Sequence, residues 1–248
     1  MSAQSAIKRI LLATDFGADL YVGQIQARLH DLLPGIHCIG LMQNLTPFRP
    51  DLAAYLLPAL MRDLPRDSLA LCVVDPGVGG ERAGLLVRAD GHWLIGPDNG
   101  LLALVARRAG DGAVWRIGWQ PERMSASFHG RDWFAPAAAR LVLGEDLALS
   151  PLGPADMVGA DWPDERAIIV YVDHFGNLMT SVRASGVGVE AVLQVRGQAL
   201  PRARTFCEVE PEQAFWYENA LGLIEIAVNQ GRADRQLELG VGDLIELD

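Results

Sequence analysis

The sequence has 248 residues, 50% of them hydrophobic, enough to fill the core of one large domain or two modest ones, which excludes a linker or tail. Its 21 Lys and Arg against 31 Asp and Glu leave a formal charge of -10, the wrong sign for neutralising a phosphate backbone, so nucleic acid is not an expected partner. Cys38, Cys72 and Cys207 are far apart and odd in number, which excludes a disulfide framework or paired zinc ligands and fits a reducing cytoplasm.

In chain order, the first apolar run is residues 10–13, too short for a secretory or membrane-spanning segment, so a cytoplasmic protein without membrane contact is expected. Residues 9–13 read as a buried strand running into Thr14-Asp15-Phe16-Gly17. A helical pattern over 20–33 stops at Pro34-Gly35. A strand over 36–42, a helix over about 52–62 and a strand over 69–74 follow, and this alternation argues a mostly parallel sheet with helices on its faces. Cys38 and Cys72 fall inside apolar runs and read as core residues. Residues 85–95, broken by Asp90-Gly91, read as a hairpin; Asn99-Gly100 precedes a short helix to Arg108, and 135–143 is another helix.

Composition changes at 150–165, which is rich in Pro, Gly and Asp. The expected organisation is therefore an α/β domain over 1–155, a linker over 156–165 and a smaller β-rich, barrel-like domain over 166–248. In the latter, runs over 167–172, 189–195, 223–228 and 236–239 read as short strands.

Ligands of open parallel sheets gather beyond the carboxyl ends of the strands. Asp15 and Asp75 both sit there and face one crevice if their strands are neighbours; a turn or helix-capping role is the alternative for each. The loop from Asp75 to Arg82 is Gly-rich but lacks the Lys-Ser/Thr ending of a P-loop and leads into a strand, so it is not a phosphate cradle. Its glycines bring Arg82 back towards Asp75. Phe128-His129-Gly130-Arg131-Asp132 is the densest titratable cluster, with Gly130 permitting close approach of a substrate. His30, His37, His92 and His174 show no metal-ligand spacing, so no metal site is expected. Asp173-His-Phe-Gly-Asn177 offers a carboxylate and a carboxamide after a strand; on its own it reads as an Asx turn, with purine recognition by Asn177 as the alternative.

Taken together, these stretches resemble the S-adenosyl-L-methionine (SAM) hydroxide adenosyltransferases, hydrolase relatives of the fluorinating and chlorinating SAM enzymes. The matching segments are Thr14 to Gly17 with Tyr21-Val22-Gly23, Val73 to Gly79, Gly96 to Leu101, Phe128 to Asp132 with Phe134-Ala135-Pro136, Asp173 to Asn177, and Glu225 to Asn229. Six in order span nearly the whole chain.

The resemblance implies hydrolysis of SAM to adenosine and L-methionine without a cofactor, in a homotrimer that binds SAM between domains of adjacent subunits. It puts water activation on Asp75, Arg82 and His129, the ribose on Asp15, the methionine ammonium on Asp19 and Asp173, adenine on Asn177, and further substrate contacts on Gly130 and Asn219. Two departures stand out: the loop from Asp15 to Asp19 is one residue shorter than is common, and Ala220 replaces a frequent Ser in Asn219-Ala220-Leu221-Gly222. Halogenating relatives replace the Asp by a small residue, and fluorinases carry Ser in place of Gly130. Retention of Asp75 and Gly130, with no long insertion between them, favours the hydrolase. A SAM or adenosine sensor without turnover is the alternative from a different class.

Overall fold

The computed structural model describes residues 7–188 and 190–247. The chain divides into two compact units, Met1–Trp162 and Pro163–Asp248. The division falls inside the Pro/Gly/Asp-rich stretch. Trp162 belongs to the first unit: its ring lies 2.2 Å from where a Cβ on Gly100 would stand, and the carbonyls of Ala160 and Trp162 accept from Arg107 Nη1.

The first unit is built on a seven-stranded sheet. Its strands are β1 (Arg9–Thr14), β2 (His37–Met42), β3 (Ser68–Val73), β4 (Gly84–Ala89), β5 (His92–Pro97), β6 (Ala113–Ile117) and β7 (Leu149–Leu152), in the order β2-β1-β3-β5-β4-β6-β7. The pairs β1/β2, β1/β3 and β3/β5 are parallel, while β4 and β7 run against the other five. Strands β1 and β3 are apolar because both faces are covered. Ile10, Leu12, Leu69, Leu71 and Val73 point to one face, where they meet Val22, Ile25 and Leu29 of α1 (Leu20–Leu32) and the alanines of α4 (Ala135–Leu143). Helix α2 (Pro50–Met61), entered through Pro50, packs against α3 (Ala103–Arg108).

Cys72 is buried in β3 as expected, but Cys38 is only half-buried. Strand β2 is the sheet edge, so the apolar run around Cys38 does not carry it into the core. Strands β6 and β7 lie outside the sequence reading; Pro151 inside β7 disguises it, and its place on the sheet edge tolerates that proline.

The second unit holds two small antiparallel sheets. One runs β12-β13-β9-β8, from β8 (Ile169–Val172), β9 (Leu178–Arg183), β12 (Ala214–Glu218) and β13 (Leu223–Val228); the other runs β11-β10-β14, from β10 (Leu193–Val195), β11 (Gln198–Leu200) and β14 (Glu246–Leu247). Trp216, Ile224, Ile226 and Leu193 share their core. The expected strand over 236–239 is not formed. Residues Ala233–Gln236 make one helical turn, α5, within which the Asp234 carboxylate takes the Arg235 amide and the Arg232 guanidinium. Of the run over 189–195, Val189 lies outside the described residues and the strand occupies only its end.

Candidate active site

Thr14 and Val73 are register partners at the carboxyl ends of β1 and β3, so Asp15 and Asp75 leave the sheet at the same end. The Asp15 amide donates to the Val73 carbonyl at 3.3 Å, and its Oδ2 accepts from the Phe48 amide at 3.2 Å. Burial pushes the Asp15 carboxyl above the usual carboxylate value, and the nearby charge of Asp75 adds to the effect.

After Asp75 the chain folds into two successive turns, Val78 amide to Asp75 carbonyl and Gly80 amide to Gly77 carbonyl. Gly79 is obligatory there: its φ is +82°, and a Cβ would stand 2.5 Å from the Ala126 carbonyl oxygen. The turns return Arg82 to Asp75. Arg82 Nε donates to both carboxylate oxygens at 3.1 and 3.0 Å, and Nη2 closes a third bond to Oδ2. The pair is dry, with side chains 10% and 4% exposed.

Arg82 Nη2 also lies 2.9 Å from His129 Nδ1. A guanidinium only donates, so Nδ1 accepts, and His129 is the neutral tautomer with its proton on Nε2. Burial, followed by the Arg82 charge, holds the His129 pKa below its ordinary value. Arg82 Nη1 is buried with no hydrogen-bond partner.

His129 precedes a π-turn, Gly130–Phe134, closed by the Ala135 amide donating to the Gly130 carbonyl. A Cβ on Gly130 would meet Ile25 at 3.3 Å and the rings of Phe16 and Phe128 at 3.5 and 3.6 Å. Packing inside the protein therefore constrains this position. Asp19 is exposed, and its carboxylate caps α1 through the Leu20 amide at 2.6 Å.

In the second unit, the Asp173 carboxylate closes on Asn177 four residues on, a wider loop than the expected Asx turn: the Asn177 amide donates to Oδ1 at 2.8 Å and Asn177 Nδ2 to Oδ2 at 2.9 Å. They also line a pocket of about 680 Å³ with Phe175, Tyr217, Glu225 and Arg232. Turn and pocket wall are therefore compatible. Asn219 is committed internally, its Oδ1 accepting from the Leu221 and Leu223 amides and its Nδ2 donating to Glu225 at 2.8 Å. Glu225, 2% exposed, also accepts from the Tyr217 hydroxyl, and burial raises its pKa above the usual value.

Glu225, Tyr217 and Phe48 escape the sequence reading as site residues. A lone Glu inside the apolar strand Leu223–Val228 is a signal for the first. Phe48, exposed with a left-handed φ of 61°, carries no such signal, because its backbone conformation is visible only in the fold. Among the described residues, no group of three or more His, Cys, Asp or Glu is placed to hold a metal ion.

Residues 10–150 match the SAM hydroxide adenosyltransferase N-terminal domain, and residues 167–246 match its C-terminal domain. The chain belongs to the SAM hydroxide adenosyltransferase family. Family relatives named (R)-S-adenosyl-L-methionine hydrolase include one from Salinispora arenicola, 36% identical over 96% of this chain and 97% of that protein. Another, from Thermus thermophilus, is 34% identical over 97% of this chain and the whole of that protein. A crystal structure of an uncharacterized conserved protein from Thermotoga maritima superposes with a TM-score of 0.84 at 28% identity, over 96% of this chain and all of that one. The family match thus covers both units, including every segment that carries a candidate site residue.

Proposed function

We propose that this protein is an enzyme that hydrolyses S-adenosyl-L-methionine to adenosine and L-methionine, by in-line attack of water on C5′ of the ribose. The observation that carries this reading is the buried Asp75–Arg82–His129 cluster, in a chain of this family. The hydrolase names of full-length relatives support the substrate.

A sulfonium is already a good leaving group, so neither an acid at sulfur nor a cofactor is required. What remains is to hold water in line with C5′ and take its proton as the C–O bond forms. Arg82 orients the Asp75 carboxylate, and its positive charge stabilises the negative charge developing on the attacking oxygen. Asp75 is the terminal proton acceptor. His129 keeps Arg82 in place through Nδ1 and presents Nε2–H, a donor that orients the water. Its lone pair is already engaged by Arg82, so His129 acts as an orienting group and the proton passes to Asp75. A carboxylate is a weak base for water, so the proton leaves after much of the C–O bond has formed.

Asp15 binds the ribose hydroxyls. Asp173 and Asn177 supply the ammonium and adenine contacts from the second-unit pocket, and Asp19 and Gly130 complete the substrate contacts. Asn219 serves the same pocket by holding Glu225. The assembly is a homotrimer in the cytoplasm, in which the triad of one subunit and the second-unit pocket of the next form one site. Incubation of the purified protein with SAM, followed by chromatography, tests the reading: adenosine and methionine appear in equal amounts. SAM binding without products over hours would identify a sensor, and a 5′-halogenated adenosine formed with halide would identify a halogenase.

A further inference from the structure

The Arg82 guanidinium does not rest on polar groups alone. Its central carbon lies 5.4 Å from the centroid of the Trp133 ring and 5.1 Å from that of Phe134. The two rings are stacked on each other at 5.0 Å with 15° between planes, and the cation lies beside the stack, within cation–π range of both centroids. His129 meets the same indole edge-on, at 5.7 Å and 78°. Trp133 is thus in contact with two members of the triad.

The indole is itself fixed. It is 2% exposed, and its Nε1–H donates to the Trp119 carbonyl at 2.9 Å. Gly84 makes room for it, since a Cβ there would stand 2.9 Å from Trp133 Cζ2. The π-turn places His129 and Trp133 on one side of the chain, with the wide turn closing beneath them.

We propose that Trp133 is a positioning residue for the triad: its anchored indole backs the Arg82 guanidinium, so that Nε and Nη2 meet Asp75 while Nη2 also meets His129 Nδ1. Without that backing Nη2 can turn away from His129 and water can enter between Arg82 and Asp75. The charged groups facing His129 are Arg82, Asp75 and Asp132, and the balance among them depends on Arg82 staying in place. This inference rests on the hydrolase reading for its kinetic arm only.

Trp133→Leu and Trp133→Phe in the full-length chain test it, with SAM kinetics, thermal melting and an NMR titration of the histidines, His129 being assigned by its loss in His129→Gln. Trp133→Leu lowers kcat about 10- to 100-fold with KM changed by less than about threefold. It also moves the His129 titration up towards that of an ordinary histidine. Trp133→Phe, which keeps a ring but loses the bond to Trp119, lowers kcat about two- to fivefold and shifts the titration in the same direction. A melting temperature that falls while kcat and the His129 titration stay at wild-type values overturns the proposal. If Trp133→Leu does not fold, the Phe variant decides on the same two readouts. If the wild-type protein does not turn over SAM, the functional reading falls, and the titration decides the positioning role by itself.

Discussion

The triad divides labour in a way that single substitutions separate. Asp75→Asn keeps the size of the side chain but removes the proton acceptor and one charge facing Arg82. A general base contributes about 10²- to 10⁴-fold, so kcat falls by that order while KM for SAM stays near the wild-type value. A steady-state assay beside a direct binding measurement checks this, and equal losses in both would reassign Asp75 to substrate binding. His129 adds a pH signature. Its depressed pKa reflects burial and the Arg82 charge, and protonation at Nδ1 breaks the 2.9 Å bond to Arg82. The active form is the neutral one, so kcat holds at neutral pH and falls as the medium is acidified through a value below 6.5, the ordinary histidine pKa. Stability has the same sign: in the window below 6.5 the unfolded chain takes up the proton first, so the contribution is complete above 6.5 and is lost as pH falls. An acidic limb centred above 6.5 would contradict this assignment.

At the scale of elements, the crevice depends on turns that hold the strand ends. Asn99 links the loop after β5 to β3: its Nδ2 donates to the Val74 carbonyl, one residue before Asp75, and its Oδ1 accepts from the Leu101 amide. Gly79 lets the Asp75–Arg82 loop close against the Ala126 carbonyl. Gly79→Ala combines a left-handed backbone with a Cβ 2.5 Å from backbone oxygen, so it costs about 1–3 kcal/mol of stability and moves Arg82 off Asp75. Denaturant melts and SAM turnover check both effects, and a wild-type melt would show that the loop is not closed in this way. The parallel strands and their terminal aspartates are legible in sequence because buried strands read as unbroken apolar runs and ligand-facing residues follow them. The Arg82 to His129 contact is not: 47 residues separate the two, and only the packing of the π-turn on β4 brings them together. Strand β12, by contrast, pairs with its hairpin neighbour β13, and the turn at Ala233–Gln236 is held by local bonds of Asp234 to Arg232 and Arg235.

For the whole molecule, the candidate site residues fall into two groups, Asp15, Asp75, Arg82 and His129 in the first unit and Asp173, Asn177 and Glu225 in the second. The charge of -10 includes a small set of carboxylates that suits a ligand with a sulfonium and an ammonium, while exposed ion pairs such as Arg28–Asp31, Arg62–Asp63 and Arg196–Glu238 carry little energetic weight. If each site is made from neighbouring subunits of a trimer, two defects placed in different units can complement each other. Asp75→Asn and Asp173→Asn are each impaired alone. Unfolded together and refolded as mixed trimers, they regain activity, because about one quarter of the interfaces pair an intact Asp75 with an intact Asp173 when subunits assort at random around a ring. If each site were built within one chain, every site would keep a defect and mixing would restore nothing. Light scattering on the mixture establishes the trimer, and the adenosine formed by mixed against separately refolded samples distinguishes the two arrangements.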